Sequence, residues 1–165
     1  MSTATSSATR TSPVARLVRV AGDSMAPTYR SSDLLLTRPA GRAGARVRRG
    51  DVVVFRRGEL RMIKRVVGVP GDLVELEAGR LFVNGNPVDG RPRVRGAFTQ
   101  TWRVPRSSCF MAGDNAAASD DSRVWDEPFV RLQSLDAVVT RRLWAGRGTG
   151  RLSPRRRAAA AGQVA

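Results

Sequence analysis

Residues 51–72 read DVVVFRRGELRMIKRVVGVPGD, and this stretch decides the fold that the sequence predicts. It contains two valine-rich runs, 51–56 and 61–69, and it closes with the turn sequence VPGD. β-branched apolar residues favour extended strands, whereas proline, glycine and aspartate are typical of turns. Because both runs are short and bounded by turn residues, we expect strands here rather than a helix.

Further runs of the same kind lie on both sides of this stretch, with turn sequences such as RRGD, NGNP and AGDN between them. The sequence shows no convincing amphipathic helix and no internal repeat. Several short strands at close spacing predict an all-β fold of antiparallel sheets or a barrel. The additional candidate strands are 15–20, 33–38, 73–77, 80–84, 109–113 and 137–144.

The composition divides the chain into one domain and two tails. Residues 1–13 are rich in Ser, Thr and Ala, and 146–165 are basic and Ala-rich, so we expect both segments to be flexible. Residues 14–145 are then the folded domain. The longest apolar runs fall far short of the ~20 residues of a membrane span, and the N-terminus lacks the apolar segment of a secretory signal. We therefore expect no transmembrane segment.

The net charge of +15 is strongly basic. Such a charge attracts nucleic acid or anionic lipid, unless it is simply spread over solvated faces. No recognition helix and no basic pattern interleaved with aromatic residues accompanies it, so nucleic acid is disfavoured as a partner. The concentrated arginines near the C-terminus favour peripheral contact with an anionic membrane or with a membrane-anchored partner.

The chain has no histidine and one cysteine, Cys109. The missing histidine excludes Ser-His-Asp and Cys-His catalysis and most zinc sites. Lys64 is the only lysine among 29 basic residues. Alternation along a strand places it between Met62 and Val66 on one face, where burial would lower its pKa and make it a competent general base. The alternative is a lysine whose ammonium reaches the surface from a half-exposed strand.

Two other segments complete the candidate chemistry. Ser24 follows a strand in the turn AGDSMAPTY (21–29), where a serine can be exposed as a nucleophile or can simply cap a turn. The loop MAGDNAAASDDSRVW (111–125) is rich in Asp, Ser and Asn but lacks a calcium-loop pattern. We interpret it as a source of hydroxyl partners for the amine, and we expect no metal or organic cofactor.

Taken together, these segments resemble the bacterial type I signal peptidases, a family of serine endopeptidases with a Ser/Lys dyad. The resemblance covers residues 17–144 and implies a β-rich catalytic core. The matching segments, in order, are GDSMAPT (22–28), RGDVVVF (49–55), KRVVGVPGD (64–72), GRLFVNG (79–85) and GDNAAASDDSR (113–123), the last followed by Trp125.

The resemblance also implies roles for individual residues. Ser24 would be the nucleophile, Lys64 the general base and Ser119 the hydroxyl that orients the lysine. The other implied roles are a structural ion pair between Asp121 and Arg123, loop support from Asp114 and Asn115, and shaping of the nucleophile turn by Met25 and Pro27.

Three positions depart from the family pattern. Gly22 stands where many relatives have a serine that donates to the oxyanion, so the Ser24 N–H would carry more of that stabilisation. Ala116 replaces a usual arginine, and Asp126 replaces a usual glycine.

The implied function is cleavage of signal or leader peptides from exported precursor proteins after small residues, at the periphery of the cell membrane. The expected lack of a membrane anchor leaves open a dedicated maturation protease for one partner protein, and a cytoplasmic location. Self-cleaving SOS repressors use a related Ser-Lys core, but only 23 residues precede Ser24, too few for their DNA-binding domain. A non-catalytic basic binding domain is the remaining alternative, and it leaves the lone lysine unexplained.

Overall fold

The structure is a computed structural model in which two β-sheets make up the regular structure. It describes residues 15–41, 44, 47–88 and 99–146, and the backbone of 162–164. Apart from short 3-10 turns at Ala116–Ala118 and Leu132–Ser134, every regular element in these ranges is a strand. The all-β prediction is therefore confirmed. The expected N-terminal tail, 1–13, lies outside the described residues.

Eight strands form the main sheet and four form a smaller one. The order in the main sheet is β10-β9-β4-β3-β11-β2-β1-β12, and the order in the small sheet is β7-β6-β5-β8. Neighbouring strands are antiparallel except β12, which is parallel to β1. The strands are β1 (Arg16–Val20), β2 (Leu34–Pro39), β3 (Val52–Arg57), β4 (Leu60–Gly68), β5 (Leu73–Glu77), β6 (Arg80–Val83), β7 (Asn86–Pro87), β8 (Thr99–Arg103), β9 (Ser108–Ala112), β10 (Phe129–Arg131), β11 (Leu135–Trp144) and β12 (Gly162–Val164).

The stretch that opened the sequence analysis forms the antiparallel pair β3–β4, in which Val53 faces Lys64. Alternation along β4 sends its residues to different faces, as expected for a pleated strand. Met62 and Val66 belong to one buried cluster, whereas Ile63 belongs to another. Both faces of β4 are therefore covered, which explains why apolar residues occur on both of them.

The small sheet is inserted between β4 and β9, which pair with each other at Gly68 and Phe110. Its inner face shares a buried cluster with the main sheet, including Val67 and Val74. A side chain at Gly68 would lie 2.7 Å from Val74 Cγ2, so the two sheets meet where only glycine fits. This contact fixes the small sheet against the strand that carries Lys64.

The C-terminal region differs from the expected flexible tail over 146–165. Its residues 162–164 form β12 and pair with β1, with Val18 opposite Gly162 and Val20 opposite Val164. An edge strand presents unpaired backbone groups, and an extended segment of any composition can satisfy them. Composition alone therefore did not reveal this strand. Residues 147–161 lie outside the described residues.

Candidate active site

Lys64 and Ser24 are joined by a hydrogen bond, with 2.9 Å between Nζ and Oγ. Lys64 is 1% exposed and Ser24 is 9% exposed, so the contact is shielded from bulk water. Lys64 projects from the middle of β4, and Ser24 lies in the turn that follows β1. This separation is suitable for proton transfer between a hydroxyl and an amine.

The pKa of Lys64 is lowered from its ordinary value, mainly because burial disfavours the ammonium. The nearby carboxylates of Asp121 and Asp120 oppose this effect, whereas Arg123 adds to it. Lys64 is surrounded by apolar residues of β4 and by Val53 opposite it on β3. The alternative of a lysine that reaches the surface is therefore wrong for this strand.

The turn that carries Ser24 is held by its own backbone and by an apolar anchor. Ala26 N–H donates to the Asp23 carbonyl at 3.1 Å, and Tyr29 N–H donates to the Met25 carbonyl at 2.8 Å. Met25 is fully buried in the cluster that also contains Ile63 of β4. The side chain next to Ser24 in sequence thus fixes the turn against the lysine strand.

Gly22 and Pro27 lie on either side of this anchor. Gly22 has φ +85°, a left-handed conformation that favours glycine over other residues. The space around it is open, so the backbone conformation rather than crowding selects glycine. Pro27 follows a cis peptide bond with Ala26.

Asn115 ties the acidic loop directly to the turn that carries Ser24. Its backbone N–H donates to the Ser24 carbonyl at 2.9 Å, and its side-chain Nδ2 donates to the Asp23 carbonyl at 3.1 Å. The sequence predicted only that Asn115 supports the loop. In the structure it also fixes the two peptide groups that flank Ser24.

Asp114 connects the same turn to the lysine strand. Its carboxylate accepts two hydrogen bonds from Arg65, at 2.8 Å from Nε and 2.6 Å from the terminal nitrogen. The Thr28 hydroxyl donates to the same carboxylate at 2.5 Å. No pattern in the sequence pointed to a role for Arg65 or Thr28. The only signal for Arg65 was its position next to Lys64.

Asp121 and Arg123 form the predicted ion pair, and it is fully buried. The Arg123 guanidinium donates twice to the Asp121 carboxylate, at 2.8 Å and 2.5 Å, and it also reaches the Gly113 carbonyl at 3.2 Å. The Gly113 N–H donates to Asp121 at 2.8 Å. The pair therefore fixes the start of the loop that follows β9.

Ser119 lies at the site, but its hydroxyl donates to Asp121 at 2.5 Å and not to Lys64. The predicted orientation of the lysine by this hydroxyl is thus not a direct hydrogen bond in this structure. The Ser119 hydroxyl and the Ser24 carbonyl both border Gly113 so closely that a side chain there would collide with them. The lack of a side chain at Gly113 therefore lets the two segments meet, a role that the sequence did not reveal.

Other groups are less suited to the chemistry. Burial raises the pKa of the Cys109 thiol to about 12, so it is a core residue and a poor nucleophile. No cluster of three or more metal-ligating side chains occurs among the described residues. In the part of the chain that the structure describes, no helix has the length and apolar character needed to cross a membrane.

The known proteins that this chain resembles are signal peptidases. The family profile described as signal peptidase, peptidase S26 matches residues 3–144. A signal peptidase I from Bacillus caldolyticus is 34% identical over 76% of this chain and 77% of its own, and one from Leptolyngbya laminosa is 30% identical over 86% and 74%. A crystal structure of a signal peptidase I from Enterococcus faecalis V583 aligns with 57% of this chain and 97% of its own, at 30% identity and a TM-score of 0.47. The chain belongs to the signal peptidase family, peptidase S26.

Proposed function

We propose that this signal peptidase-like serine endopeptidase removes signal or leader peptides from exported precursor proteins, with Ser24 as nucleophile and Lys64 as general base. The observation that carries the proposal is the 2.9 Å contact between a buried lysine amine and a serine hydroxyl. The sequence has no histidine that could take the role of the base.

In this mechanism the neutral Lys64 amine accepts the proton of the Ser24 hydroxyl as Oγ attacks the scissile carbonyl carbon. The resulting ammonium then donates its proton to the leaving amine as the peptide bond breaks, which leaves the substrate acyl group on Ser24. Lys64 next takes a proton from a water that attacks this ester, and it returns that proton to Ser24 Oγ as the bond between Oγ and the acyl carbon breaks. The substrate leaves as a carboxylic acid, and Ser24 is regenerated. A lysine whose pKa is lowered by burial is suited to each of these transfers.

The developing oxyanion needs donors at the same turn. The Ser24 N–H donates to no other group among the described residues, so it is available for this purpose. Gly22 offers no hydroxyl, which leaves the backbone N–H with a larger share of the stabilisation. Asn115 holds the Ser24 carbonyl at 2.9 Å and thereby fixes the orientation of the neighbouring peptide groups.

The test is cleavage of a precursor peptide whose signal ends in Ala-x-Ala, from pH 6 to 10. We expect Ser24→Ala and Lys64→Arg to be inactive, because arginine keeps the charge but cannot give up its proton. Ser107→Ala, at an exposed serine, is the matched control and should cleave like the wild type. Activity retained in Lys64→Arg would show that Lys64 is not the base.

Peripheral contact with an anionic membrane is the second part of the proposal. The high net charge supports it, as does the arginine-rich sequence at 151–157. Flotation with vesicles of anionic phospholipid tests it. Lack of binding to these vesicles would refute the proposal, and binding that persists after Arg155, Arg156 and Arg157 are all changed to Ser would exclude the arginine-rich sequence as the contact.

A further inference from the structure

β1 has a strand on each side, β2 along one edge and β12 along the other. The Val20 N–H donates to the Asp33 carbonyl on the β2 side. Successive residues of a strand point their N–H and C=O groups to opposite edges, so those of Arg19 face β12. The register places Arg19 opposite Gln163, and the two strands run parallel. Residues 162–164 therefore run in the same direction as β1, towards the turn that carries Ser24.

Within the described residues, the first part of β4 has no partner strand along the edge that pairs with β9 further on. It pairs with β3 along its length, but it pairs with β9 only from Arg65 onward. The Val66 N–H donates to the Asp51 carbonyl on the β3 side, so the backbone groups of Ile63 face the opposite side. Within the described ranges, no strand pairs with β4 at Ile63 on that side.

These two edges lie close together. Val18 and Val20 of β1 share a buried cluster with Ile63 of β4, and Ser24 is hydrogen-bonded to Lys64 just beyond them. β12 pairs with β1 and also contacts β4. The segment thus lies at the edge of the two strands that deliver the serine and the lysine.

We propose that the segment Gly162–Val164 is an intramolecular competitor of the substrate, held by strand pairing in the groove between β1 and β4. The proposal rests on the proposed function, because an endopeptidase must hold its substrate extended beside the nucleophile. Strand addition uses backbone hydrogen bonds and so accepts many sequences, including a segment of this chain. A peptide substrate must displace the segment before it can reach Ser24.

The expected effect is on KM. When a site is free for only a fraction of the time, the apparent dissociation constant of its substrate is the intrinsic constant divided by that fraction. Deletion of 162–165 should lower KM for the precursor peptide at least about threefold, with kcat unchanged, if the segment fills the groove two-thirds of the time. The double variant Gln163→Pro/Val164→Pro, in which the segment is retained, should behave in the same way, because proline removes backbone donors.

Addition of the segment as a separate peptide completes the kinetic test. AAAAGQVA should inhibit the shortened chain competitively, whereas the same peptide with proline in place of its glutamine and valine should not. An unchanged KM in both the deletion and the proline variant would overturn the proposal, as would non-competitive inhibition by AAAAGQVA.

Hydrogen exchange separates this proposal from the proposed function, since it needs no activity. In Ser24→Ala, deletion of 162–165 should speed exchange of the Arg19 amide at least about threefold, because at two-thirds occupancy this amide is already unpaired for a third of the time. The Val20 amide, which is bonded to Asp33, is the internal control and should keep its rate. Unchanged exchange at Arg19 would refute the occupied groove, even if the wild type cleaves precursors as proposed.

Discussion

Asp121→Asn should be among the most destabilising single substitutions near the site. The variant keeps the size of the side chain but removes the charge that compensates Arg123. Asp121 is fully buried and the Arg123 side chain is 4% exposed, so water cannot replace the lost partner. Breaking a buried pair by neutralising one member costs about 3–5 kcal/mol. With a urea dependence of about 2 kcal/mol per molar, the unfolding midpoint should fall by roughly 2 M.

Urea unfolding followed by tryptophan fluorescence measures this loss. Asp136→Asn is the matched control, because Asp136 is 30% exposed and lies 3.5 Å and 3.7 Å from Arg61 and Arg56. It should lose less than about 1 kcal/mol, as surface pairs usually do. The double variant Asp121→Asn/Arg123→Met should lose less than Asp121→Asn alone, because no buried charge is left unpaired. Equal losses for Asp121→Asn and Asp136→Asn would refute the reasoning.

The same substitution has a kinetic consequence. The Asp121 carboxylate raises the pKa of Lys64 against the larger effect of burial. Its neutralisation should lower that pKa further, so the rise of kcat/KM with pH should move to lower pH. A shift to higher pH in Asp121→Asn would contradict the proposed role of Lys64 as the base.

Three further predictions concern buried groups. Burial lowers the pKa of Lys64 from 10.5, so the unfolded chain binds more protons between the lowered pKa and 10.5, and stability should rise with pH across that window. Lys64→Met should remove this part of the slope in urea midpoints taken at several pH values. The Cys109 thiol, with a pKa of about 12, should react with a thiol reagent only at the rate of unfolding. Gly68→Ala should cost about 1–3 kcal/mol in urea unfolding, because its Cβ would lie 2.7 Å from Val74 and 3.0 Å from Val104.

Strands with a clear apolar pattern could be predicted from the sequence to within about two residues of their ends. The pattern failed for β8, Thr99–Arg103, where only Trp102 is partly buried and the other side chains are exposed. This strand exists because β5 pairs with it across its full length. Such long-range pairing is a tertiary effect that local propensity does not contain.

In the candidate site, too, local features could be predicted and long-range contacts could not. The lone lysine and its apolar flanks predicted a buried amine, because both signals lie within one strand. The contact with Ser24 joins residues 40 positions apart, so the sequence could name Ser24 as a candidate nucleophile but could not show that it touches Lys64. The hydrogen-bond partner of the Ser119 hydroxyl is the Asp121 carboxylate, and no local sequence pattern specifies where that carboxylate lies. Arg65 and Thr28 were missed for the same reason.

The place where the small sheet joins the main one has a consequence for how such a chain can change over evolution. The chain leaves β4 at Gly68 and returns to β9 beside it, since Gly68 and Phe110 are paired. Because entry and exit are neighbours, lengthening the segment between them adds only a slowly growing loop-closure cost. Larger insertions between these two strands, which could bind new partners, are therefore compatible with an unchanged contact between Ser24 and Lys64.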